Sequence, residues 1–228
     1  MVGCMLIHGF TGAPYEVEPL AAYFRNHTNW VVSVPTLPGH GEEETLRGVS
    51  FNQWIDTAEA NLKELMKKCE TVYVIGFSMG GVLAGYLATK YQVDKLVLLS
   101  AAIHYIHPIQ MMKDIGGMIT DLRRGTLLQN ELFSRYSKKL KTTPVLASIE
   151  FRKLVQKLKP SFKSVSVPTI ILQGKLDGMV PYKTAHTIYH LIDSDEKQIC
   201  IMEKSKHLIC HGEDQNDVID KVFHFLTN

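Results

Sequence analysis

The sequence predicts an α/β fold: a mostly parallel central sheet with helices on both faces and a short helical cap. Short apolar, β-rich runs alternate with amphipathic helical segments along most of the 228 residues. The β-rich runs are continuously apolar rather than alternating, which is typical of parallel strands covered on both faces. One stretch, residues 103–165, interrupts the alternation with helical patterns only, and it is the predicted cap.

Six strands are predicted along the chain. Their ranges are Val2–His8, Trp30–Val34, Thr71–Phe77, Lys95–Ser100, Thr169–Gln173 and Gln198–Met202. Ser50 and Gln53 form a capping box for a helix with an apolar stripe from Trp54 to Met66. The segment after Ser78 is apolar nearly all round, as expected of a helix buried against the sheet. A final amphipathic helix is expected over residues 214–226.

The chain divides into a core of residues 1–102 and 166–228 and a cap of residues 103–165. The cap contains twelve Lys or Arg residues and only four Asp or Glu residues, so the cap is basic and the core is acidic. The basic residues form either a solvated helix face or a lid whose charge attracts anionic substrates or a membrane surface. These two interpretations overlap, because a lid also has a solvated face.

Composition argues against several classes of protein. Hydrophobic content of 45%, charged content of 21% and a net charge of +2 are ordinary for a globular protein and do not favour nucleic-acid binding. No apolar run reaches the 18 residues of a membrane span, and the start lacks a basic secretory region. The four cysteines are far apart, and Cys4, Cys69 and Cys200 are expected to be buried thiols. A cytoplasmic protein without stable membrane insertion is therefore predicted.

Residues 76–80, Gly-Phe-Ser-Met-Gly, directly follow the apolar run of residues 71–75 and precede a helical segment. This is the G-x-S-x-G nucleophile elbow, in which a strand turns sharply into a helix and exposes a serine at the apex. The glycines leave room for neighbouring backbone where a Cβ would collide. The pattern predicts Ser78 as a nucleophile; an ordinary strand–helix turn and an inactive remnant of such a site are the alternatives.

A serine hydroxyl needs a base, and in this arrangement an acid and then a histidine follow it along the chain. Asp177 lies in a turn directly after the strand 169–173 and is the predicted acid. Asp-Gly is also common in simple turns, and Asp193 and Asp195 are rivals at the opposite end of the next strand. No pattern of metal ligands competes with this interpretation.

Ten histidines are present, so the base is identified by its position relative to the predicted strands. His207 lies just past the carboxyl end of the last strand, where a base is needed, and it is the predicted residue. His211 is the main rival, but it lies nearer the opening of the last helix. We expect His207 to take the proton of Ser78 while Asp177 holds the correct tautomer.

The developing negative charge of the substrate carbonyl oxygen needs hydrogen-bond donors. The first strand ends in the glycine-bracketed turn of residues 8–12, at the same end of the sheet as Ser78. The backbone N–H groups of Phe10 and Met79 are the predicted oxyanion hole. The Phe10 side chain is expected to line the acyl pocket, and His8 to be a structural hydrogen-bonding residue behind the turn.

Taken together, these motifs resemble the α/β-hydrolase superfamily, and within it the bacterial carboxylesterase and monoacylglycerol-lipase group. The similarity extends over essentially the whole chain and includes His-Gly-Phe-Thr-Gly at 8–12, Pro-Gly-His-Gly at 38–41 and Ser-Lys-His at 205–207. It implies Ser78, Asp177 and His207 as a triad, Phe10 and Met79 as oxyanion donors, and no cofactor. Relatives carry a short segment before the first strand, so the start here suggests a truncation or an alternative start.

The resemblance also bears on the substrate. Lys141 takes the place of a glutamate with which monoacylglycerol lipases of the group recognise glycerol, and an ammonium cannot accept hydrogen bonds from hydroxyls. This favours a carboxylesterase for short-to-medium acyl chains over a monoacylglycerol lipase. Apolar cap residues, among them Leu128 and Phe133, are expected to supply part of the acyl pocket.

The predicted activity is therefore hydrolysis of small-molecule esters through an acyl-enzyme, by a monomer or homodimer that transiently contacts lipid surfaces through its basic cap. Thioester cleavage, C–C bond hydrolysis and acyl transfer on the same triad are alternatives. A non-catalytic binding module that keeps the fold is another alternative, and a cofactor-free haloperoxidase-like side activity would be incidental.

Overall fold

A computed structural model of the chain describes residues 1–41, 45–104 and 145–228. In these ranges six strands form a single sheet. They are β1 (Val2–Ile7), β2 (Val31–Ser33), β3 (Thr71–Phe77), β4 (Lys95–Leu99), β5 (Thr169–Gly174) and β6 (Lys197–Met202). The sequence predicted all six, and the boundaries agree to within one residue.

The strands lie in the order β2-β1-β3-β4-β5-β6, and every neighbouring pair is parallel. The register pairs Ile7 with Gly76, Phe77 with Leu99, and Gly174 with Met202, so the carboxyl ends of β1, β3, β4, β5 and β6 lie along one edge of the sheet. The loops that follow these strands are consequently brought together at that edge. Ligands of open parallel sheets bind at this end.

Six α-helices surround the sheet in the described residues. They are α1 (Glu18–His27), α2 (Phe51–Met66), α3 (Met79–Lys90), α4 (Val145–Leu158), α5 (Lys183–Leu191) and α6 (Gln215–Thr227). The capping box predicted at the start of α2 is present, with the Ser50 N–H donating to Gln53 Oε1 at 2.9 Å. Nine residues of α3 are buried, as the apolar composition of that segment predicted.

Helices cover both faces of the sheet, and each face has its own apolar core. Side chains of alternate strand residues separate between the two cores, with Met5 and Ile7 on one face and Cys4 and Leu6 on the other. Helices α2 to α5 pack on the first face and α1 and α6 on the second. The continuous apolar runs in the sequence therefore reflect two buried faces.

Part of the predicted cap is described, namely residues 103–104 and 145–165. Helix α4 buries Phe151, Leu154, Val155 and Leu158, the residues whose spacing predicted it, against α2 and α3. Phe162 follows it and packs so closely on Gly85 of α3 that a Cβ there would overlap the ring. The division into core and cap stays a prediction, because most of the cap lies outside the described residues.

Two smaller predictions concern membranes and thiols. Within the described ranges, no helix has both the length and the apolar character needed to cross a membrane. All four cysteines are free thiols, and Cys4, Cys69 and Cys210 are buried. Cys200 was expected to be buried as well but is only half-buried, because its strand, β6, lies at the edge of the sheet.

Candidate active site

Ser78 occupies the sharp turn between β3 and α3. Its φ of 54° is in a region that side chains rarely adopt, and α3 begins at the next residue. A Cβ on Gly76 would overlap the carbonyl of Gly80, and a Cβ on Gly80 would overlap the carbonyl of Ile7. The two glycines of the motif are thus required by backbone contacts within the turn and between the turn and β1.

His207 contacts Ser78 and Asp177 through its two ring nitrogens. The distance from Nε2 to Ser78 Oγ is 3.0 Å, and the distance from Nδ1 to Asp177 Oδ2 is 2.8 Å. His207 is 1% exposed, and its imidazole packs against the ring of Phe77, with centroids 5.0 Å apart. The structure therefore brings the three side chains, predicted from distant parts of the sequence, into one hydrogen-bonded row.

The Asp177 carboxylate is fully occupied by hydrogen bonds. Its Oδ1 accepts the N–H groups of Met179 and Val180, both at 2.8 Å, and its Oδ2 accepts Gln173 Nε2 at 2.8 Å in addition to His207. Gln173 was not predicted as a site residue. Its signal in the sequence is a lone amide at the end of an apolar strand, where a buried polar group needs a partner.

The rival residues lie elsewhere or have other partners. Asp193 and Asp195 are exposed, beyond the amino end of β6 and away from the carboxyl edge of the sheet. His211 Nε2 lies 2.8 Å from the carbonyl oxygen of Tyr15, so this nitrogen donates to the main chain. The two aspartates thus lie at the opposite edge of the sheet from Ser78, and His211 has a main-chain partner instead of Ser78.

The loop that carries His207 is tied to the loop that carries Asp177. Leu176 donates its N–H to the carbonyl of Ser205 at 3.1 Å, and a Cβ on Gly174 would overlap that same carbonyl. Asp214 Oδ2 accepts the Lys204 N–H at 2.8 Å and the Ser205 hydroxyl at 3.0 Å. The contacts of Leu176 and Gly174 join the two loops, and Asp214 ties the His207 loop to the start of α6; the sequence predicted neither set of contacts.

The glycine-bracketed turn of residues 9–12 lies beside Ser78. A Cβ built on Gly9 would be 3.2 Å from the Cβ of Ser78, so the two backbones approach closely. The Gly12 N–H donates to the Gly9 carbonyl at 3.3 Å, and Thr11 has a φ of 61°. Met79 is the first residue of α3, where N–H groups have no partner within the helix. Both predicted donors thus belong to segments that adjoin the Ser78 side chain.

His8 lies behind this turn and is held by the main chain. Leu37 donates its N–H to His8 Nε2 at 3.1 Å, so Nδ1 carries the proton and donates to the Gly9 carbonyl at 2.9 Å. Phe10 is 6% exposed and stacks on Phe151 of α4, with centroids 5.0 Å apart. The aromatic pair forms an apolar surface next to the turn.

Two opposing effects determine the charge of His207. Burial disfavours the imidazolium and lowers the pKa. The attraction and hydrogen bond of Asp177, together with the carboxylate of Glu16, act in the opposite direction and outweigh burial, so the pKa of His207 is raised above its ordinary value of 6.5. The neutral form that can accept a proton therefore requires a higher pH than a free histidine would.

Three predicted substrate contacts, Leu128, Phe133 and Lys141, lie outside the described residues. The described residues contain no cluster of three or more side chains suited to hold a metal ion.

Comparison with known proteins places the chain among relatives that are named as lipases and esterases. Residues 3–215 match the family described as serine aminopeptidase, S33. The chain is 30% identical over 236 residues to a thermostable monoacylglycerol lipase of a Bacillus species, and the alignment covers 99% of this chain and 90% of that protein. It is 23% identical over 224 residues to a carboxylesterase of Bacillus subtilis, with 97% and 91% covered.

The fold is also found among solved structures. A structure from work on LipS and LipT, two metagenome-derived lipolytic enzymes, superimposes with a TM-score of 0.80 at 22% identity. The match covers 99% of this chain and 93% of that one. At this level of identity the likeness is one of fold.

Proposed function

The chain belongs to the serine aminopeptidase S33 family of α/β-hydrolases, and from that membership we propose that it is a carboxylesterase for short-to-medium acyl chains. It is an ester-hydrolysing serine hydrolase; the residues that perform the reaction and the range of esters are the proposal. The observation that carries it is the row from Ser78 Oγ through His207 to Asp177, at 3.0 and 2.8 Å.

In the first half-reaction Ser78 Oγ attacks the ester carbonyl carbon while its proton passes to His207 Nε2. The carbonyl oxygen becomes an oxyanion that accepts the N–H groups of Phe10 and Met79. When the C–O bond breaks, the alcohol leaves with the proton of His207, and the acyl group stays on Ser78. Asp177 stabilises the transient imidazolium throughout.

In the second half-reaction a water molecule takes the place of the alcohol. His207 accepts a proton from the water as its oxygen attacks the acyl carbon, and the same backbone donors stabilise the new oxyanion. The bond to Ser78 Oγ then breaks, His207 returns the proton to the serine, and the carboxylic acid leaves. No cofactor enters either half-reaction.

Replacing Asp177 by asparagine is expected to lower kcat by up to about 10⁴-fold. The amide oxygen can still accept the N–H groups of Met179 and Val180, so the loop is kept. The amide NH₂ would face His207 Nδ1 and favour the tautomer whose Nε2 cannot accept a proton. Loss of the charge also lowers the pKa of His207, which moves the acidic limb of the activity profile to lower pH.

The measurement is kcat against pH on a p-nitrophenyl ester, with Asp193→Asn as the matched control. Asp193 is exposed, so its replacement is expected to leave both kcat and the acidic limb unchanged. A large loss in Asp193→Asn with normal activity in Asp177→Asn would show that the acid is misassigned.

A monoacylglycerol lipase is the second candidate, because a relative that is 30% identical carries that name. The two candidates differ at the alcohol side of the ester. A lysine at position 141 can donate hydrogen bonds to glycerol hydroxyls but cannot accept them. The preference for simple esters thus rests on a residue that lies outside the described structure.

A substrate-length profile tests the choice. We expect kcat/KM to be higher for simple short-to-medium esters than for monoacylglycerols of equal chain length, and Lys141→Glu to reduce that difference. A preference of the unchanged protein for monoacylglycerols would favour the second candidate. Acyl-CoA substrates in the same panel test thioester cleavage, and a folded protein that a fluorophosphonate does not label would indicate a binding module.

The location of the protein, its contact with lipid surfaces and its oligomeric state stay predictions. A cytoplasmic location, transient contact of the basic cap with lipid surfaces, and a monomeric or homodimeric state follow from the sequence reasoning above and are part of this proposal.

A further inference from the structure

One buried carboxylate near the site takes no part in the bond-making steps described above, although it contributes to the raised pKa of His207. Glu16 ends the short 3₁₀ turn Pro14–Glu16, and it is only 1% exposed. A carboxylate is costly to bury unless it accepts hydrogen bonds. Glu16 Oε2 accepts the N–H of Gly9 at 2.7 Å, a short bond of the charge-assisted kind. The carboxylate thus reaches the turn that adjoins Ser78.

The glycines of the turn pack directly on this carboxylate. A Cβ on Gly12 would overlap the carboxyl group of Glu16, and a Cβ on Gly9 would lie 3.2 Å from Oε2. Gly12 is thus needed for the carboxylate to lie under the turn, and at Gly9 a side chain would make a tight contact with it. The glycine pattern of residues 9–12, interpreted from the sequence as an oxyanion turn, also makes room for Glu16.

The contacts hold the two peptide planes on either side of Gly9. The plane before Gly9 is held by the bond from its N–H to Glu16. The plane after Gly9 is held through its carbonyl, which accepts His8 Nδ1 at 2.9 Å and the Gly12 N–H at 3.3 Å. In a trans peptide the N–H points opposite to the carbonyl, so these bonds also set the direction of the Phe10 N–H.

Glycine itself offers little resistance to rotation about its φ and ψ. Without Glu16, the plane before Gly9 would lose its hydrogen-bond partner and the buried N–H would be unsatisfied, which favours rearrangement of the turn. Because both planes meet at the Cα of Gly9, rotation of the first changes the position of the second. The Phe10 N–H would then no longer be held in one direction.

We propose that Glu16 is a positioning residue for the oxyanion hole, holding the turn through the Gly9 N–H so that the Phe10 N–H points at the reacting carbonyl oxygen. This inference rests on the proposed function. It predicts a defect in stabilising the transition state, which appears in kcat, rather than in substrate binding, which appears in KM.

The test compares Glu16→Met with Glu16→Gln. Methionine fills a similar volume but has no oxygen to accept the Gly9 N–H, whereas the glutamine amide oxygen can accept it. Glu18→Met is the matched control, because Glu18 is two residues away, partly exposed and paired with Arg25 on the surface. The readouts are kcat, KM, affinity for a boronic acid that mimics the tetrahedral intermediate, and the thermal midpoint. Kinetics are measured on the alkaline plateau, where His207 is neutral in every variant.

For Glu16→Met we expect kcat to fall about 10- to 100-fold, short of the loss for removing a donor outright. KM is expected to stay within about 3-fold, and boronic acid affinity to fall in parallel with kcat, as it does when transition-state binding is lost. Glu16→Gln is expected to recover most of kcat, and Glu18→Met to behave as the unchanged protein.

Three results would overturn the proposal: an unchanged kcat in folded Glu16→Met, a rise in KM without a fall in kcat, or an equal loss in Glu16→Gln. If Glu16→Met does not fold, Glu16→Asp replaces it; it keeps the charge but withdraws the oxygen by one methylene. A fall in kcat is again expected, and an unchanged value overturns the proposal. If the unchanged protein and Ser78→Ala are equally inactive on every ester, the proposed function has failed instead.

Discussion

Replacing Ser78 by alanine is expected to lower kcat by about 10⁶-fold, the loss found when the nucleophile of a serine triad is removed. The change deletes one oxygen at a position whose φ of 54° is set by backbone contacts of Gly76 and Gly80, so the turn itself is preserved. The expected result is a folded protein with almost no turnover. The measurements are kcat on a p-nitrophenyl ester, the thermal midpoint and fluorophosphonate labelling.

Ser100 provides a matched control for this change. It too is buried, has a positive φ of 45° and follows a strand, β4. In the described part of the chain, its hydroxyl has no hydrogen-bond partner. We expect Ser100→Ala to keep its turnover and its labelling, while Ser78→Ala loses both. Turnover that survives in Ser78→Ala would place the nucleophile elsewhere.

Replacing His207 by alanine is expected to cost nearly as much as replacing Ser78, because neither residue of the pair works without the other. The Ser78 hydroxyl would keep its place but lose the group that accepts its proton at 3.0 Å. We expect kcat to fall by about 10⁶-fold. Fluorophosphonate labelling is expected to slow in parallel, because the probe is attacked by the same oxygen.

His211→Ala separates this effect from the general loss of a buried imidazole. His211 is partly buried and donates to the Tyr15 carbonyl, so its removal is expected to lower the free energy of unfolding by about 1 kcal/mol. We expect most of kcat to remain. A large loss of kcat in His211→Ala, with activity kept in His207→Ala, would reverse the assignment of the base.

The strands were predictable because burial on both faces leaves a continuous apolar run in the sequence. That signal locates a strand such as β3 from its own residues, without knowledge of its neighbours. It does not state the order β2-β1-β3-β4-β5-β6, which depends on how each connection crosses the sheet. The capping box at Ser50 was predictable because it too is a local signal: its two partners, Ser50 and Gln53, lie three residues apart in the sequence.

The chain order of Ser78, Asp177 and His207 was inferred from motifs and from positions after strands. The distances of 3.0 and 2.8 Å among their side chains are geometric facts that no motif contains. The choice between His207 and His211 depended on a difference of four positions in the sequence. In the structure the two imidazoles have different partners, with Ser78 and Asp177 on one and Tyr15 on the other.

The supporting residues were missed because their contacts join parts of the chain that carry no shared pattern. Gln173 reads as a polar residue at a strand end until its amide is seen to reach Asp177. Glu16 reads as the first acidic residue of a helical segment until its carboxylate is found under Gly9. Both became visible only as buried polar groups that must be satisfied.

The amino-acid sequence by itself was enough to determine the type of sheet, its two covered faces and the strand-to-helix turn that presents Ser78. These features arise from continuous apolar runs in the strands, from apolar positions repeated every three or four residues in the helices and from local steric limits, all of which neighbours along the chain specify. Tertiary structure alone decided which carboxylate and which amide meet His207 and Gly9. Those contacts depend on how far apart the loops at the carboxyl edge of the sheet lie, and packing across the whole core sets that distance.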